Sequence, residues 1–208
     1  MLKVVVIGLK QAKGIYFMYK IAICGGIGTG KSEVIKILAS KGYAVLSMDS
    51  INRELLSCGE YVSLIEINFP KAVVNGVIDK KILKNEIFNN ESKRILLNKL
   101  SHPRIKNIFE KYDTADKTLL FVEVPLIVES NMVDMFDMLW AIKSPRKVRV
   151  ERIINRDDIS KELAEKIIDI QVKEETIYDI ADIIISNDGD TDSLQKEVEK
   201  QLNILPTF

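Results

Sequence analysis

Residues 25–32 read GGIGTGKS, which matches the phosphate-binding loop pattern G-x-x-x-x-G-K-[ST] at every fixed position. Glycines let the backbone turn tightly enough to aim several N–H groups at phosphate oxygens. Lys31 would bring a positive charge to the β and γ phosphates, and the Ser32 hydroxyl is a candidate Mg²⁺ ligand. The predicted nucleotide-binding residues of this segment are Gly26, Ile27, Gly28, Thr29, Gly30, Lys31, Ser32 and Glu33.

The flanks of the loop have the order that this motif requires. Residues 19–24 form a short apolar run suited to a buried strand, and residues 33–40 space their apolar side chains as a helix does. Strand, glycine loop and helix together place a helix N-terminus against the anion. The alternative is a glycine-rich turn with a chance Lys-Ser pair, and the flanks argue against it.

Composition excludes several classes of protein. A chain of 208 residues is long enough for one domain, or one domain with an inserted subdomain. Thirty basic residues balance thirty acidic ones, so no global field favours nucleic acid or an anionic membrane.

The single histidine, His102, excludes a multi-histidine metal site. Cys24 and Cys58 have no metal-ligand spacing and predict no disulfide framework, so we expect a cytoplasmic protein without membrane spans.

Apolar runs alternate with helical patterns along most of the chain. Such alternation predicts βαβ units and a parallel sheet covered on both faces, with sites beyond the carboxyl ends of the strands. The five predicted strands cover residues 19–24, 44–47, 118–124, 138–142 and 183–186. Residues 1–17 are either an added edge strand or a disordered tail, and Met18 is a possible natural start.

The interval between Asp49 and Lys117 breaks this rhythm. It contains helical stretches, such as 80–88 and 91–100, and no convincing buried strand. Such a long gap between strands predicts an inserted helical subdomain at about residues 60–112, where a second substrate would be recognised. A plain long crossover is the alternative.

Asp49 follows the second predicted strand and is the candidate catalytic base. A carboxylate near the γ-phosphate accepts a hydroxyl proton, and in a loose transition state it positions the acceptor as much as it deprotonates it. The alternative is a helix cap, because Asp49 and Ser50 precede the helical pattern of residues 51–56. The residues alone leave both interpretations open.

Ser144 and Pro145 predict another helix start, with serine as the cap and proline in the first turn. Four arginines then fall within one arc of this helix, and guanidinium groups suit contact with phosphates. They are Arg146, Arg149, Arg152 and Arg156. We expect one or two of them to be functional, the alternative being a solvated face. The polar residues 156–158 that follow suit a lid that excludes water.

These residues together resemble dephospho-coenzyme A kinase, from about Met18 to the C-terminus. Residues 25–32 look like the phosphate loop of that family, and residues 49–53, DSINR, resemble its Asp-x-x-x-Arg segment. Residues 123–129, EVPLIVE, are similar to its acid-x-Pro-Leu-Leu-x-Glu strand end. Further similar segments are 75–79 and 102–105 in the helical insertion, Arg152, Arg156, Asp157 and Gln171 in the lid, and 181–187 near the adenine.

The resemblance implies a three-layer α/β P-loop kinase fold with a parallel five-stranded sheet, a helical substrate-binding insertion and a helical lid at about residues 145–175. The kinase domain would span residues 18–208, after an extension of unknown status at 1–17. It implies transfer of the γ-phosphoryl of ATP, with Mg²⁺, to the ribose 3′-hydroxyl of dephospho-coenzyme A. The absence of an Asn-Lys-x-Asp guanine-reading segment also favours ATP over GTP. The expected partner is this small molecule, with no nucleic-acid polymer or membrane, and the expected assembly a monomer or weak homo-oligomer.

The resemblance also implies roles for individual residues. Asp49 would be the base, Lys31 would hold the triphosphate as part of the catalytic set, and Arg152 and Arg156 would neutralise charge during transfer. Asn187 would lie near the adenine, and Glu123 would support Mg²⁺ through water. The chain departs from the family pattern at Ser47, where an acid is common, and at Glu33, where threonine is common.

His102 is interpreted as a structural or substrate-contacting residue, and Pro103 beside it predicts a helix boundary. Two rival functions are another small-molecule kinase, such as a nucleoside monophosphate kinase, and a nucleotide-switched binding protein that hydrolyses ATP slowly. The second rival leaves Asp49 and the arginine face without a purpose.

Overall fold

The computed structural model describes residues 18–88, 90–111, 119–128, 130–171 and 174–205. Five strands form one parallel sheet. Their bounds are Tyr19–Cys24 (β1), Ala44–Ser47 (β2), Leu119–Glu123 (β5), Met138–Lys143 (β6) and Ile183–Ser186 (β7). The spatial order is β2-β5-β1-β6-β7, so β1 lies at the centre. The five predicted strands are confirmed, with Thr118 of the third lying outside the described residues.

The central strand explains why these apolar runs become strands buried on both faces. Residues 21–24 of β1 are all fully buried, although their side chains alternate between the two faces of the sheet. A sheet covered on both faces needs continuous apolar strands, which is what the sequence supplies. β1 pairs in parallel with β5 and β6, so the carboxyl ends of these strands meet at one edge. That edge carries the loop that follows β1.

Five α-helices of the described residues belong to the same unit as the sheet. Their bounds are Lys31–Ser40 (α1), Arg146–Asp157 (α6), Lys161–Ile170 (α7), Glu174–Ile180 (α8) and Thr191–Asn203 (α9). Side chains of α1 and α9 pack against the sheet in one buried cluster, which includes an edge-to-face contact between Phe121 and Trp140. The other buried members of this cluster are Ile21, Ile23, Val34, Ile37, Leu38, Ile142, Ile185, Leu194 and Val198.

Helices α6 and α7 are joined by three residues, and their side chains pack together in a second, smaller cluster. Its buried members are Val150, Ile153, Ala164 and Ile168. Ile27, from the loop after β1, packs against this cluster. The helix pair is therefore attached to the glycine loop through apolar contacts as well as polar ones.

Residues 47–112 form a separate compact unit. Its helices are Met48–Ser57 (α2), Gly59–Asn68 (α3), Lys80–Phe88 (α4) and Glu91–Lys111 (α5), and its two short strands are Val73–Val74 (β3) and Val77–Ile78 (β4). Buried apolar residues hold the unit together, aided by a hydrogen bond of 2.8 Å between Tyr61 Oη and Ser101 Oγ. The buried residues include Tyr61, Ile65, Phe69, Ile105, Ile108 and Phe109.

Two details of this unit differ from the sequence analysis. The interval contains an antiparallel hairpin, β3–β4, whose turn uses positive φ angles at Asn75 and Gly76; this dipeptide was the available signal. Helix α5 also continues through Pro103, so the predicted boundary there is wrong. Beyond the proline, Ile105 and Ile108 are buried in the core of the unit, and this packing outweighs the local preference. Residues 1–17 lie outside the described residues.

Candidate active site

The glycine loop between β1 and α1 has positive φ angles at Gly25, Gly28 and Gly30, and the last two show why other residues are disfavoured there. Gly30 precedes α1 with φ +96°, and a Cβ atom there would lie 2.1 Å from Nδ2 of Asn187. Gly28 has φ +78°, and a Cβ atom there would lie 3.0 Å from the carbonyl oxygen of Arg149. Both glycines therefore combine a left-handed conformation with close approach of another chain segment.

Three successive carbonyl groups of this loop are held by side chains from distant positions. Nε of Arg149 donates to the carbonyl of Ile27 at 2.7 Å, and Nη1 of Arg152 donates to that of Gly28 at 3.4 Å. Nδ2 of Asn187 donates to the carbonyl of Thr29 at 2.7 Å. In a planar trans peptide the N–H points away from the C=O of the same unit. The three following N–H groups are therefore turned away from these side chains; that of Thr29 donates to the Gly26 carbonyl at 3.4 Å, and those of Gly28 and Gly30 suit an anion-binding nest.

Helix α1 adds further donors at the same place. It begins at Lys31, directly after the loop, and the first N–H groups of a helix have no carbonyl partner within it. Together with the helix dipole, these groups favour a bound anion. The predicted helix 33–40 is confirmed and starts two residues earlier, at Lys31.

Lys31 is buried inside the loop that it belongs to. Its Nζ donates to the carbonyls of Gly25 at 3.0 Å and Gly26 at 2.9 Å. Burial lowers the pKa of the Lys31 ammonium to about 8, and the nearby Glu123 carboxylate acts in the opposite direction. The loop thus holds a cation whose charge is poorly solvated, which an added polyphosphate would stabilise.

Ser32 contacts the end of a neighbouring strand. Its Oγ donates to Oε1 of Glu123 at 2.8 Å, because β1 and β5 are adjacent and their carboxyl ends coincide. A hydroxyl and a carboxylate are oxygen ligands of the kind that Mg²⁺ prefers. Glu33 points elsewhere: its carboxylate pairs with Lys36 at 3.0 Å on the exposed side of α1. The structure therefore brings Glu123 to the loop, and leaves the side chain of Glu33 on the helix surface.

The four arginines of α6 divide into two pairs. Arg149 is buried, and burial lowers its pKa, while Arg152 contacts the loop, Ser144 and Asn187. Arg146 pairs with Asp169 at 2.7 Å on the exposed side. Arg156 makes two hydrogen bonds to Asp157, at 2.8 and 2.7 Å, and this contact raises the pKa of the guanidinium.

The predicted serine cap of this helix is wrong. Helix α6 begins at Arg146, its cap position is Pro145, and no side chain caps it. The Ser144 hydroxyl instead accepts a hydrogen bond from Nη1 of Arg152 at 3.3 Å. Ser144 follows β6 at the edge where the loop lies, so contact with the arginine replaces the local capping contact.

Asn187 comes directly after β7 and is buried. Its N–H donates to the carbonyl of Lys143 at 2.7 Å, which extends the β6–β7 pairing to the strand ends. Its side chain uses both polar atoms, with Nδ2 donating to Thr29 and Oδ1 accepting from Arg152 at 3.2 Å. In the structure Asn187 therefore holds the phosphate loop; its predicted position near the adenine stays a prediction.

Asp49 is an exposed residue in the first turn of α2, within the unit of residues 47–112. The capping alternative for Asp49 is wrong, because Ser47 is the cap: its Oγ accepts from the N–H of Ser50 at 3.2 Å. Ser47 therefore has a structural use as the N-cap of α2. The Asp49 carboxylate is not occupied by capping.

Sequence reasoning missed two residues that contact the loop. The sequence places Arg149 on the arginine arc, but no local pattern predicts that this arginine is buried. Gln171 was noted only as part of the lid, yet its Oε1 accepts the N–H of Ile27 at 2.7 Å. Neither contact leaves a motif, because the partners are 122 and 144 positions apart in the chain.

The remaining candidate groups have structural surroundings. Cys24 is buried, and burial raises the pKa of its thiol to about 12, so it stays protonated near neutral pH. Both cysteines are free, as expected. His102 lies within α5. Within the described parts of the chain, no group of three His, Cys, Asp or Glu side chains suits a metal ion, and no helix is long and apolar enough to cross a membrane.

Comparison with known proteins gives consistent matches. The model of a family described as "Dephospho-CoA kinase" matches residues 19–193. A dephospho-CoA kinase of Fusobacterium nucleatum is 37% identical over 184 residues, covering 86% of this chain and 95% of that protein. The solved structure of a Campylobacter jejuni dephospho-CoA kinase has a TM-score of 0.61 at 29% identity, covering 90% of this chain and 96% of that one. A Thermus thermophilus protein, TT1252, has a TM-score of 0.76 at 27% identity, covering 91% and 99%.

Proposed function

The chain belongs to the dephospho-CoA kinase family, which catalyses the last step of coenzyme A biosynthesis, and on this premise we propose how its residues perform the transfer. The γ-phosphoryl of ATP passes to the ribose 3′-hydroxyl of dephospho-CoA, giving ADP and CoA. The observation that carries the donor site is the orientation of the loop. Carbonyls 27–29 are held by Arg149, Arg152 and Asn187, so the N–H groups of Gly28 and Gly30 face away from these side chains toward the proposed phosphate site, while that of Thr29 donates to Gly26 at 3.4 Å.

Lys31 supplies the positive charge of the donor site. Its burial among loop carbonyls lowers its pKa to about 8, so a bound triphosphate, by adding negative charge, would raise the pKa and keep the ammonium protonated. Nucleotide binding and the protonation of Lys31 therefore favour each other. The lysine is a point charge, whereas the backbone amides supply direction.

Ser32 and Glu123 are the residues that would hold Mg²⁺. Their oxygens lie 2.8 Å apart, and a hydroxyl with a carboxylate fits the oxygen-ligand preference of this ion. When bound, Mg²⁺ would neutralise charge on the β and γ phosphates. Glu123 also favours the protonated form of Lys31, so one carboxylate supports both positive charges.

Arg152 and Arg156 would stabilise the charge that develops on the transferred group. Arg152 contacts the carbonyls of Gly28 and Thr29 through Nη1 at 3.4 Å, so this role requires its guanidinium to exchange these long contacts for phosphate oxygens when ATP binds. Arg156 is paired with its neighbour Asp157 in an exposed contact, and exposed ion pairs contribute little stability. A phosphate group can therefore replace Asp157 as the partner of Arg156 at small cost.

Asp49 would accept the proton of the 3′-hydroxyl and orient it for attack. It lies in the unit of residues 47–112, which includes the predicted insertion at about 60–112 and would recognise dephospho-CoA. Residues 145–175 would form the lid, and residues 181–187 would lie near the adenine. We further propose that residues 18–208 are the kinase domain and that it works in the cytoplasm as a monomer or weak homo-oligomer.

Mass spectrometry of a reaction with dephospho-CoA and Mg-ATP tests this function. The expected result is stoichiometric CoA and ADP, with phosphate on the ribose 3′ position. Phosphorylation of nucleoside monophosphates without phosphorylation of dephospho-CoA would support the rival kinase and contradict the proposal. ATP hydrolysis that no acceptor changes, with no phosphorylated product, would support a nucleotide switch instead.

A further inference from the structure

The N–H, the carbonyl and the side chain of Ile27 in the phosphate loop all contact the α6–α7 region. Its N–H donates to Oε1 of Gln171 at 2.7 Å, and its carbonyl accepts from Nε of Arg149 at 2.7 Å. Its side chain packs against the apolar cluster of the helix pair. No other loop residue combines these three contacts among the described residues. The shape of the loop at this point follows the position of the two helices.

The Gly26–Ile27 peptide is fixed from both sides. On the carbonyl side, Gly26 accepts hydrogen bonds from Nζ of Lys31 and Oγ1 of Thr29, both at 2.9 Å. On the amide side, the N–H of Ile27 is held by Gln171. Because the peptide is planar, rotating it to release either side breaks the contacts on the other. Gln171 thus also keeps the carbonyl that holds Lys31 in place.

The position of Gln171 is set by the packing of α7. That helix begins after Ser160, whose Oγ caps it, and ends at Ile170, with Gln171 as the C-terminal cap residue in extended conformation. Ala164 and Ile168 bury one face of α7 against α6 and thereby fix its rotation and register. The packing of α7 therefore places Gln171 beside the loop.

We propose that Gln171 is a positioning residue for the nucleotide phosphates, acting through the Gly26–Ile27 peptide and Lys31 without touching the reacting atoms. This inference rests on the proposed function only in taking Mg-ATP as the ligand of the loop. It implies that this amide–amide hydrogen bond is one contact through which the α6–α7 pair contributes to nucleotide affinity.

Gln171→Met tests the inference, since methionine keeps the length of the side chain and removes the acceptor. The matched control is Gln195→Met at an exposed position of α9, where Nε2 of the glutamine donates to Oε1 of Glu199 at 3.0 Å. We expect Gln171→Met to weaken Mg-ADP binding, measured by calorimetry, and to raise the KM for ATP, each by roughly three- to tenfold, the effect of one such hydrogen bond. The KM for dephospho-CoA should stay within about twofold, and Gln195→Met should behave as the wild type in both measurements.

The outcomes separate this inference from the proposed function. Unchanged Mg-ADP affinity and KM for ATP in Gln171→Met would overturn it, even if the thermal midpoint falls, because that pattern indicates a merely structural contact. If the wild type does not phosphorylate dephospho-CoA but Mg-ADP affinity still depends on Gln171, the inference stands and the proposed function fails.

A second measurement needs no variant and covers the case in which Gln171→Met does not fold. In isotopically labelled wild-type protein, NMR hydrogen exchange at the Ile27 amide should be slow, because Gln171 accepts its proton. Exchange as fast as that of an unbonded loop amide would show that the contact is absent in solution and would overturn the inference.

Discussion

Replacing Gly30 and Asn187, singly and together, tests how the phosphate loop is held. An alanine at Gly30 would place its Cβ 2.1 Å from Nδ2 of Asn187, far inside contact distance. Asn187 is buried, and that Nδ2 donates to the Thr29 carbonyl at 2.7 Å. The new methyl group must therefore displace the amide and break its hydrogen bond. Once Asn187 is truncated, the remaining neighbour is Arg152 Nη1 at 3.7 Å, an ordinary contact.

The expected free energies follow from these contacts. Asn187→Ala leaves a buried carbonyl poorly satisfied, which costs about 1–3 kcal/mol in the free energy of unfolding. Gly30→Ala costs about 1–2 kcal/mol for a left-handed alanine, plus the same lost hydrogen bond, so about 2–5 kcal/mol in total. In the double variant the hydrogen bond is lost only once. The double variant should therefore be more stable than the sum of the single costs predicts, by about 1–3 kcal/mol.

Urea unfolding followed by circular dichroism measures all four proteins. The matched control is Gly42→Ala: Gly42 has φ +85° but no atom within 4 Å of its Cβ position, so it reports the backbone cost alone. Combined with Asn187→Ala, the Gly42 change should add within about 0.5 kcal/mol. Additivity of the Gly30 and Asn187 changes within the same margin would refute the clash argument, as would an equally large coupling to Gly42.

Four further predictions concern the charged side chains of the site. Because the pKa of Lys31 is lowered from 10.5 to about 8, affinity for Mg-ADP should fall as pH rises through about 8, and Lys31→Arg, which stays charged, should flatten this dependence in calorimetry. Between pH 8 and 10.5 Lys31 binds fewer protons in the folded protein than in the unfolded chain, so its contribution to the free energy of unfolding rises with pH. Urea unfolding should show this rise as a pH-dependent difference in free energy between the wild type and Lys31→Met. Asp49→Asn should lower kcat by roughly 10²- to 10⁴-fold with an unchanged KM for ATP, since asparagine accepts no proton; wild-type turnover would exclude Asp49 as the base. Glu123→Gln should raise the Mg²⁺ concentration for half-maximal rate in a coupled assay, and an unchanged Mg²⁺ dependence would contradict its role as a ligand.

Much of the fold could be predicted because its signals are local. The glycine loop requires backbone conformations that few residues adopt, and apolar runs buried on both faces read as strands without knowledge of their partners. The helix that follows the loop and the five strands were predicted within one or two residues. The continuation of α5 through Pro103 was not predicted, because the packing of Ile105 and Ile108 outweighs the local preference; the hairpin at residues 73–78 was not predicted either, although Asn75 and Gly76 supply a local turn signal.

The candidate site was predicted less completely. The sequence identified the loop, Lys31 and Ser32, since these belong to a contiguous motif, and it placed four arginines on one helix arc. It could not tell that Arg149 and Arg152 face the loop while Arg146 and Arg156 pair with exposed carboxylates. Helical periodicity predicts which side chains share a face of α6, but it does not identify the segment of the protein that this face contacts.

The sequence by itself thus determined the phosphate loop, the order of its strands and helices, and the family to which the chain belongs. Only the tertiary structure decided which side chains hold the loop open to an anion: Arg149, Arg152, Gln171 and Asn187. These side chains meet the loop backbone from 122 to 158 positions away, and a hydrogen bond to a carbonyl or an amide makes no demand on the identity of the residue that carries it. Contacts of that kind leave no pattern in the chain and become visible only when the sheet brings its strand ends together.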